Sequence, residues 1–112
     1  MMKQLKLTLL AIIGFSAFSF AQEKISTEVI NTPSVQCGMC KSKIEKNLKK
    51  IDGISAVSVD YKKKTTTVSW FTDKTNVENI RMAISNSGYD ADGVLANAEA
   101  YDNLADCCKK PE

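Results

Sequence analysis

Apolar and polar positions change their spacing along the chain, and each change predicts a new structural element. Residues 24–35 place apolar side chains among Ser and Thr, which predicts an extended strand that closes near Pro33. Ile44, Leu48 and Ile51 then recur at helical spacing among five lysines. This pattern predicts an amphipathic helix that begins near the first pair of cysteines and ends at the Asp-Gly pair that follows.

The next part of the chain predicts two strands and a second helix. Residues 57–61 alternate between apolar and polar, and a β-branched run over 65–71 follows a basic turn, so two antiparallel strands are expected. Thr75 and Glu78 have the spacing of a capping box, which predicts that a helix opens at Thr75. Gly88 is placed to end this helix.

The last elements complete a familiar order. Residues 89–95 predict a short final strand, and residues 97–104 have the composition of a short helix. The order βαββαβ predicts an α+β, ferredoxin-like sandwich, in which two helices cover one face of a four-stranded antiparallel sheet. A short C-terminal helix or tail follows it.

The first 21 residues are expected to be a secretory signal peptide. Lys3 and Lys6 precede an apolar run over residues 7–18, and small residues lead up to Ala21, where cleavage is expected. The alternative is a retained membrane anchor, but the run is shorter than the roughly 20 apolar residues that a spanning helix needs. We therefore expect an exported protein, secreted across the inner membrane into the periplasm.

Composition then narrows the function. The 112 residues include 15 Lys+Arg, 13 Asp+Glu, four Cys and no His. Removal of the signal peptide leaves equal numbers of basic and acidic groups, which gives no electrostatic footprint for nucleic acid. The lack of His excludes imidazole bases and His-ligated metals, and with them most hydrolases. We expect a protein that is not an enzyme.

Cys37 and Cys40 form a Cys-X-X-Cys motif at the start of the first predicted helix. Free backbone N–H groups and the helix dipole favour anions there, and Lys41 and Lys43 add positive charge, so lowered thiol pKa values are expected. Such a pair can bind a metal or exchange disulfides, and the spacing alone leaves both open. A structural disulfide or a pair of inert thiols is the simpler alternative.

The ligand inventory favours a soft ion. Two sulfurs without His suit Cu(I) or Hg(II) but supply only half of a tetrahedral zinc site, so zinc is disfavoured. A thiol-disulfide oxidoreductase that uses the same pair is the alternative function. It is disfavoured because thioredoxin-like folds place a proline opposite the disulfide. The only prolines after the predicted signal peptide are Pro33, just before the motif, and Pro111, in the C-terminal tail. An accessory module that binds only a protein partner is a third possibility.

The stretch over residues 26–95 resembles the heavy-metal-associated domain of copper chaperones, copper-transporting ATPases and periplasmic mercury-binding proteins. The resemblance is carried by the Cys-X-X-Cys motif, the apolar positions of the helix after it, the turn over residues 52–54, two valines of the second strand and the segment over residues 87–90. We therefore expect residues 22–95 to form this domain and residues 96–112 to form a C-terminal extension.

The resemblance also implies a site and partners. Cys37 and Cys40 would be the metal ligands, and Tyr89 would lie beside them. The partner would be a membrane metal transporter or another thiol-bearing metal-binding protein, and we expect a monomer when no metal is bound. The family's usual Gly-Met before the motif is Ser34-Val35 here, and a methionine, Met39, stands between the cysteines. Val35 can still fill the core, and Met39 is a secondary ligand candidate, with a packing role favoured.

The second pair of cysteines and the charge distribution each allow more than one interpretation. Cys107 and Cys108 lie beyond the predicted domain, and four roles are open to them. They can be secondary metal ligands, a second relay point for the metal, disulfide partners, or thiols of a disordered tail. Adjacent cysteines rarely bond each other, because the ring is strained. The first helix is basic and residues 73–106 are acidic, so the basic face can steer docking onto an acidic partner, or it can simply be solvated.

Overall fold

The computed structural model describes residues 24–110, and the predicted signal peptide (residues 1–21) lies outside the described residues. The elements in chain order are β1 (Ile25–Asn31), α1 (Gly38–Lys49), β2 (Ile54–Asp60), β3 (Thr65–Phe71), α2 (Val77–Asn86), α3 (Ala98–Asp102) and a one-turn 3₁₀ helix (Asp106–Cys108). The first five follow the predicted order. A search of residues 24–110 finds no helix with the length and apolar character needed to cross a membrane.

The sheet is antiparallel, with β3 in the centre between β1 and β2. Thr66 pairs with Ile30 on one side and with Val59 on the other, and all three side chains are buried. In β3 the side chains of Thr66, Val68 and Trp70 are buried and those between them are not, which is the two-residue period of a sheet with one covered face.

The two long helices supply the other half of the core. Ile44 and Leu48 of α1 and Ile80 and Ile84 of α2 are all fully buried. The apolar stripe predicted for the first helix is confirmed at Ile44 and Leu48, whereas Ile51 lies beyond α1 and is partly buried. Val35, in the loop after β1, is also fully buried and belongs to the same core, as expected. The core therefore reaches the base of the loop that carries the first cysteines.

The cap of α2 differs from the prediction. Asn76, not Thr75, is the N-cap residue, and its side-chain oxygen accepts a 2.9 Å hydrogen bond from the backbone N–H of Asn79. The backbone N–H of Thr75 instead donates to the carbonyl of Phe71, so Thr75 belongs to the turn after β3. The predicted capping box was therefore one residue too early.

The predicted fourth strand is wrong for the described residues, in which the sheet has three strands. Ala91 and Val94 form an isolated bridge with each other across a turn at Asp92-Gly93, and Asp92 has a left-handed φ of 52°. Residues 89–95 form one backbone–backbone hydrogen bond with β1, in which the Asn31 carbonyl accepts from Asp92 N–H at 2.7 Å. An Asp-Gly pair is a strong turn signal, and here it outweighs the apolar residues around it.

Gly88 ends α2 as predicted and turns the chain into the core. Its φ is +102°, its N–H donates to the carbonyl of Ser85, and Tyr89 N–H donates to the carbonyl of Ile84. This pair of bonds is the Schellman motif, which suits glycine because only glycine adopts a positive φ without strain. The motif directs Tyr89 inward, where its side chain is fully buried.

Candidate metal centre

Cys37 and Cys40 lie at the start of α1, as the sequence predicts. Cys37 is the N-cap residue and is partly exposed, whereas Cys40 is in the first turn and is fully buried. Their sulfur atoms are 3.5 Å apart. One sulfur is therefore open to incoming ligands and the other is fixed by the core.

The pKa of Cys37 is lowered from 9.0 to about 6. The largest cause is the hydrogen bond with the Cys107 thiol, followed by the backbone N–H of Cys40, and the N–H of Met39 adds to it. The helix amides thus contribute as predicted, but the neighbouring thiol, rather than Lys41 or Lys43, gives the largest effect. Cys37 is consequently a thiolate at neutral pH, the form that binds metal.

The C-terminal cysteines are part of the same cluster. Cys107 Sγ lies 3.2 Å from Cys37 Sγ, and Cys108 Sγ lies 3.8 Å from it. The sulfurs of Cys37, Cys40 and Cys108 all lie within 4.8 Å of one another. Cys108 is 3% exposed, whereas Cys107 is exposed. The extension is therefore packed on the site rather than trailing from it, and the alternative of a disordered tail is wrong for residues up to 110.

Met39 does not fill the core. Its side chain is 62% exposed, and its sulfur lies 3.5 Å from Cys107 Sγ. The expectation that Met39 is mainly a packing residue is therefore wrong, because the first turn of α1 directs the side chain outward. A thioether stands at the outer rim of the thiol cluster.

Tyr89 lies beneath the cluster. Its hydroxyl is buried, and no side-chain or backbone group among the described residues forms a hydrogen bond of good geometry with it. Burial raises its pKa, and the nearby sulfurs of Cys108 and Cys40 raise it further. The hydroxyl therefore stays protonated and has a proton to donate toward sulfur.

The loop before Cys37 is held from two sides. The ammonium group of Lys64, in the turn between β2 and β3, donates to the carbonyl oxygen of Val35 and to Gln36 Oε1. On the other side, Ser34 Oγ accepts a 2.9 Å hydrogen bond from the backbone N–H of Asp90. These contacts fix the approach to the motif before any ligand binds.

Asp90 has a role at this site that was not predicted from the sequence. Its Oδ2 pairs with Lys110 Nζ at 2.8 Å and its Oδ1 accepts from Ala96 N–H at 2.8 Å. Burial raises the pKa of Asp90, but Lys110 and the Ala96 amide outweigh burial, so the pKa lies below its ordinary value. Asp90 thereby connects the loop before Cys37 with the segment that carries Cys107 and Cys108. The signal in the sequence was weak, since a lone Asp after a Gly-Tyr pair also suits a simple turn.

The ligand count also changes. The Cys-X-X-Cys motif alone supplies two sulfurs, which is half of a tetrahedral zinc site, but the structure places the secondary candidates Cys107 and Cys108 beside Cys37 as well. The donor set, all sulfur and without nitrogen, still suits soft ions. The number of ligands alone no longer argues against a tetrahedral ion.

The fold and the sulfur cluster define a small α+β domain with a thiol site on its first loop and helix. The heavy-metal-associated domain family matches residues 29–90, which is more than half of the chain, and the chain belongs to this family. The match includes Cys37, Cys40 and Tyr89 but not Cys107 or Cys108.

Individual relatives agree with this assignment. The copper chaperone CopZ of Staphylococcus aureus is 33% identical over 66 residues, which cover 59% of this chain and 97% of that protein. Oxidized MerP from Ralstonia metallidurans CH34 has a TM-score of 0.58 at 25% identity, over 61% of this chain and 94% of MerP. The mercury-bound form of MerP, the periplasmic protein of the bacterial mercury detoxification system, has a TM-score of 0.54 at 26% identity, over 62% of this chain and 96% of that one.

Proposed function

We propose that this protein is an exported, non-enzymatic carrier or scavenger of a soft metal ion, Cu(I) or Hg(II). Cys37 and Cys40 hold the ion as thiolates, and a partner's thiols remove it by ligand exchange. The observation that carries this proposal is the 3.5 Å separation of the two sulfurs at the open N-terminus of α1. The copper-chaperone and mercury-binding relatives support the choice of a soft ion.

The difference between the two cysteines supports transfer rather than permanent storage. Cys40 is fixed by the core, whereas Cys37 is partly exposed and ionised near neutral pH. An incoming thiolate can therefore reach the ion on the Cys37 side while Cys40 still holds it. Exchange then proceeds through a shared intermediate, and the free ion never has to leave into water.

The basic face of α1 supports a docking role. Five lysines lie on this helix or at its end (Lys41, Lys43, Lys46, Lys49 and Lys50), against one acidic residue, Glu45. A positive field beside the site attracts an acidic partner surface and offsets the negative charge of a metal bis-thiolate. We propose a membrane metal transporter, or another thiol-bearing metal-binding protein, as the partner.

Metal binding is tested with Cu(I) under anaerobic, reducing conditions, in competition with a chromogenic Cu(I) chelator. Replacing both Cys37 and Cys40 with Ser is expected to abolish high-affinity binding. Ser42→Ala, an exposed change on the same helix turn, keeps all sulfurs and is the matched control. Full stoichiometric binding by the double variant would reject the proposal.

Export is tested separately by expressing the full chain in a Gram-negative host. The periplasmic fraction is expected to contain a protein whose first residue is Gln22, because the basic, apolar and small-residue regions end at Ala21. Full-length protein in the membrane fraction would instead support a retained anchor.

One observation favours the alternative, a thiol-disulfide oxidoreductase. An exposed thiolate of low pKa next to a buried thiol also suits disulfide exchange. The two functions differ in turnover: an oxidoreductase reduces insulin catalytically with a supplied dithiol, and Cys37→Ser abolishes that activity. A metal carrier shows no insulin reduction above the uncatalysed rate.

A further inference from the structure

We propose that the C-terminal extension completes the metal site, with Cys108 as a third, inner sulfur ligand and Cys107 as an outer sulfur that exchanges with incoming thiols. The inference rests on the proposed function of Cys37 and Cys40, and it extends that function to residues outside the family match, which ends at residue 90. The protein would thus bind its cargo with more than two sulfurs from a single chain.

The sulfur separations support this higher coordination. With metal–sulfur bonds of about 2.3 Å, a linear ion separates its two sulfurs by about 4.6 Å, a trigonal ion by about 4.0 Å and a tetrahedral ion by about 3.8 Å. Cys37 Sγ lies 3.5 Å from Cys40 Sγ and 3.8 Å from Cys108 Sγ. These separations are closer to those around a trigonal or tetrahedral ion than to that of a linear pair.

The extension is held in place by bonds that do not involve sulfur. Leu104 is 5% exposed and belongs to the core, which anchors the chain just before the cysteines. Beyond them, Lys110 pairs with Asp90, and its backbone N–H donates to the Tyr101 hydroxyl at 2.7 Å. The Cys108 N–H donates to the carbonyl of Ala105 within the 3₁₀ turn. The thiols are therefore placed beside Cys37 before metal arrives.

Exposure gives the two added sulfurs different roles. Cys108 is buried beside Tyr89 and Cys40, so it can hold an ion but is poorly placed to meet a partner. Cys107 is exposed, 3.2 Å from Cys37 Sγ and 3.5 Å from the Met39 sulfur, at the rim that a partner meets first.

The exchange step balances without any oxidant or reductant. A partner thiol loses its proton to solvent and forms a new metal–sulfur bond, while the bond from Cys107 to the metal breaks and Cys107 takes up a proton. The metal keeps its oxidation state and its number of ligands throughout.

The test counts sulfurs around Cu(I) by X-ray absorption spectroscopy, on full-length mature protein that elutes as a monomer, with a phosphine reductant that offers no thiol. We expect at least three sulfurs per ion in the unmodified protein and one fewer in Cys108→Ser. The double change of Cys107 and Cys108 to Ser is expected to leave two. Asp106→Asn, an exposed neighbour in the same turn, is the matched control and should leave the count unchanged.

Affinity and exchange give a second readout, which remains informative if one variant folds poorly. Cys108→Ser should weaken Cu(I) binding by more than roughly 10- to 100-fold, which is the cost of losing a residue that only supports a metal ligand. Cys107→Ser should retain most of the affinity but slow transfer of Cu(I) to glutathione, because the exposed exchange ligand is missing. Circular dichroism checks that each variant is folded.

Two sulfurs in the unmodified protein, or an unchanged count in the double variant of Cys107 and Cys108, would overturn this inference. In that case, loss of binding in the Cys37 and Cys40 double variant would still uphold the proposed function. Binding that survives loss of Cys37 and Cys40 would overturn both.

Discussion

Asp90 and Lys110 form an ion pair of 2.8 Å that joins the turn after α2 to the residue two positions beyond Cys108. The backbone N–H of the same Asp90 donates to Ser34 Oγ, three residues before Cys37. A single residue therefore contacts the segments that carry both pairs of cysteines. The arrangement of the four sulfurs depends on this residue as well as on the cysteines themselves.

Asp90→Asn is expected to loosen the C-terminal segment without removing any sulfur. The amide oxygen of Asn still accepts from Ala96, but its neutral amide group no longer pairs with Lys110. If Cys107 and Cys108 are ligands, Cu(I) affinity should fall by roughly tenfold, the effect of losing an outer support. Chelator competition measures the affinity, and the alkylation rate of Cys108 in metal-free protein should rise.

Asp92→Asn is the control for this prediction. Asp92 pairs with Arg81 at 2.7 Å and accepts from the Asn31 amide, and among residues 24–110 its side chain forms no hydrogen bond or ion pair with the cysteine segments. Its replacement should lower stability slightly and leave Cu(I) affinity unchanged. Equal losses of affinity in the two variants would argue that Asp90 acts only through general stability.

The ionisation of Cys37 gives a prediction on pH. Because its pKa is lowered to about 6, Cys37 should react with iodoacetamide at half its maximal rate near pH 6. Cys107→Ala, which removes the donor, should move this midpoint toward 9.0, since the hydrogen bond with Cys107 is the largest cause of the lowered pKa. Mass spectrometry of the labelled peptide identifies the reacting sulfur.

The sign of the linked stability follows from the same pKa. A group whose pKa is lower in the folded state stabilises the fold above its unfolded pKa, and this contribution is lost as pH falls through the folded value. For Cys37 the contribution is present above pH 9.0 and is lost on acidification through about pH 6. A midpoint that stays near 9 in the unmodified protein would contradict the geometry of the loop.

Gly88→Ala is expected to destabilise the protein and displace the C-terminal extension. At a φ of +102° a Cβ atom would lie 3.0 Å from the Ala100 carbonyl oxygen and 3.1 Å from Leu104 Cδ2. The backbone strain alone costs about 1 to 2 kcal/mol, and the contacts with Ala100 and Leu104 add to it. Urea denaturation measures the loss.

Gly93→Ala is the matched control for Gly88. A Cβ at Gly93 meets no atom of the described structure within 4 Å, and its φ lies outside the left-handed range. We expect a change in unfolding free energy of only a few tenths of a kcal/mol at this exposed turn. A loss at Gly93 as large as that at Gly88 would count against the role given to the Schellman motif.

Tyr89→Phe is expected to have different effects on the metal-free and the metal-bound protein. In the metal-free protein the Tyr89 hydroxyl is buried without a well-formed hydrogen bond, so its removal should raise the free energy of unfolding by about 1 kcal/mol or leave it unchanged. With metal bound, the hydroxyl can donate to a thiolate of Cys40 or Cys108, so Phe should lower Cu(I) affinity by roughly tenfold. Thermal unfolding with and without Cu(I) measures both effects, and a large destabilisation without metal would contradict this account.

The elements that the sequence predicts well are those whose physical signal is local. Ile44 and Leu48 recur with the period of a helix, and Thr66, Val68 and Trp70 lie on one face of a strand, so burial follows from spacing alone. The position of the Cys-X-X-Cys motif at the start of α1 is also predicted correctly, because the end of the strand pattern and the start of the helix pattern are both local signals. The predicted fourth strand does not form, because the tight turn at Asp92-Gly93 outweighs the apolar residues near it.

The approach of Cys107 to Cys37 was beyond local reasoning. Seventy residues separate the two, and their 3.2 Å contact depends on the core position of Leu104 and the ion pair of Lys110. Neither interaction leaves a periodic trace in the sequence. Only the tertiary structure brings the last two cysteines beside the first pair.

The early turn at Asp92-Gly93 has a consequence for the reach of the chain. A strand that continued along β1 from Asn31 would run toward Ile25 and carry the chain away from the cysteine loop by about 3.3 Å for each residue. By leaving the sheet at its first contact, the chain remains at the end where Cys37 lies and has enough residues left to return to it. The shortened sheet is thus what allows one polypeptide to bring Cys108 into a close group with Cys37 and Cys40, with Cys107 beside Cys37 at its edge.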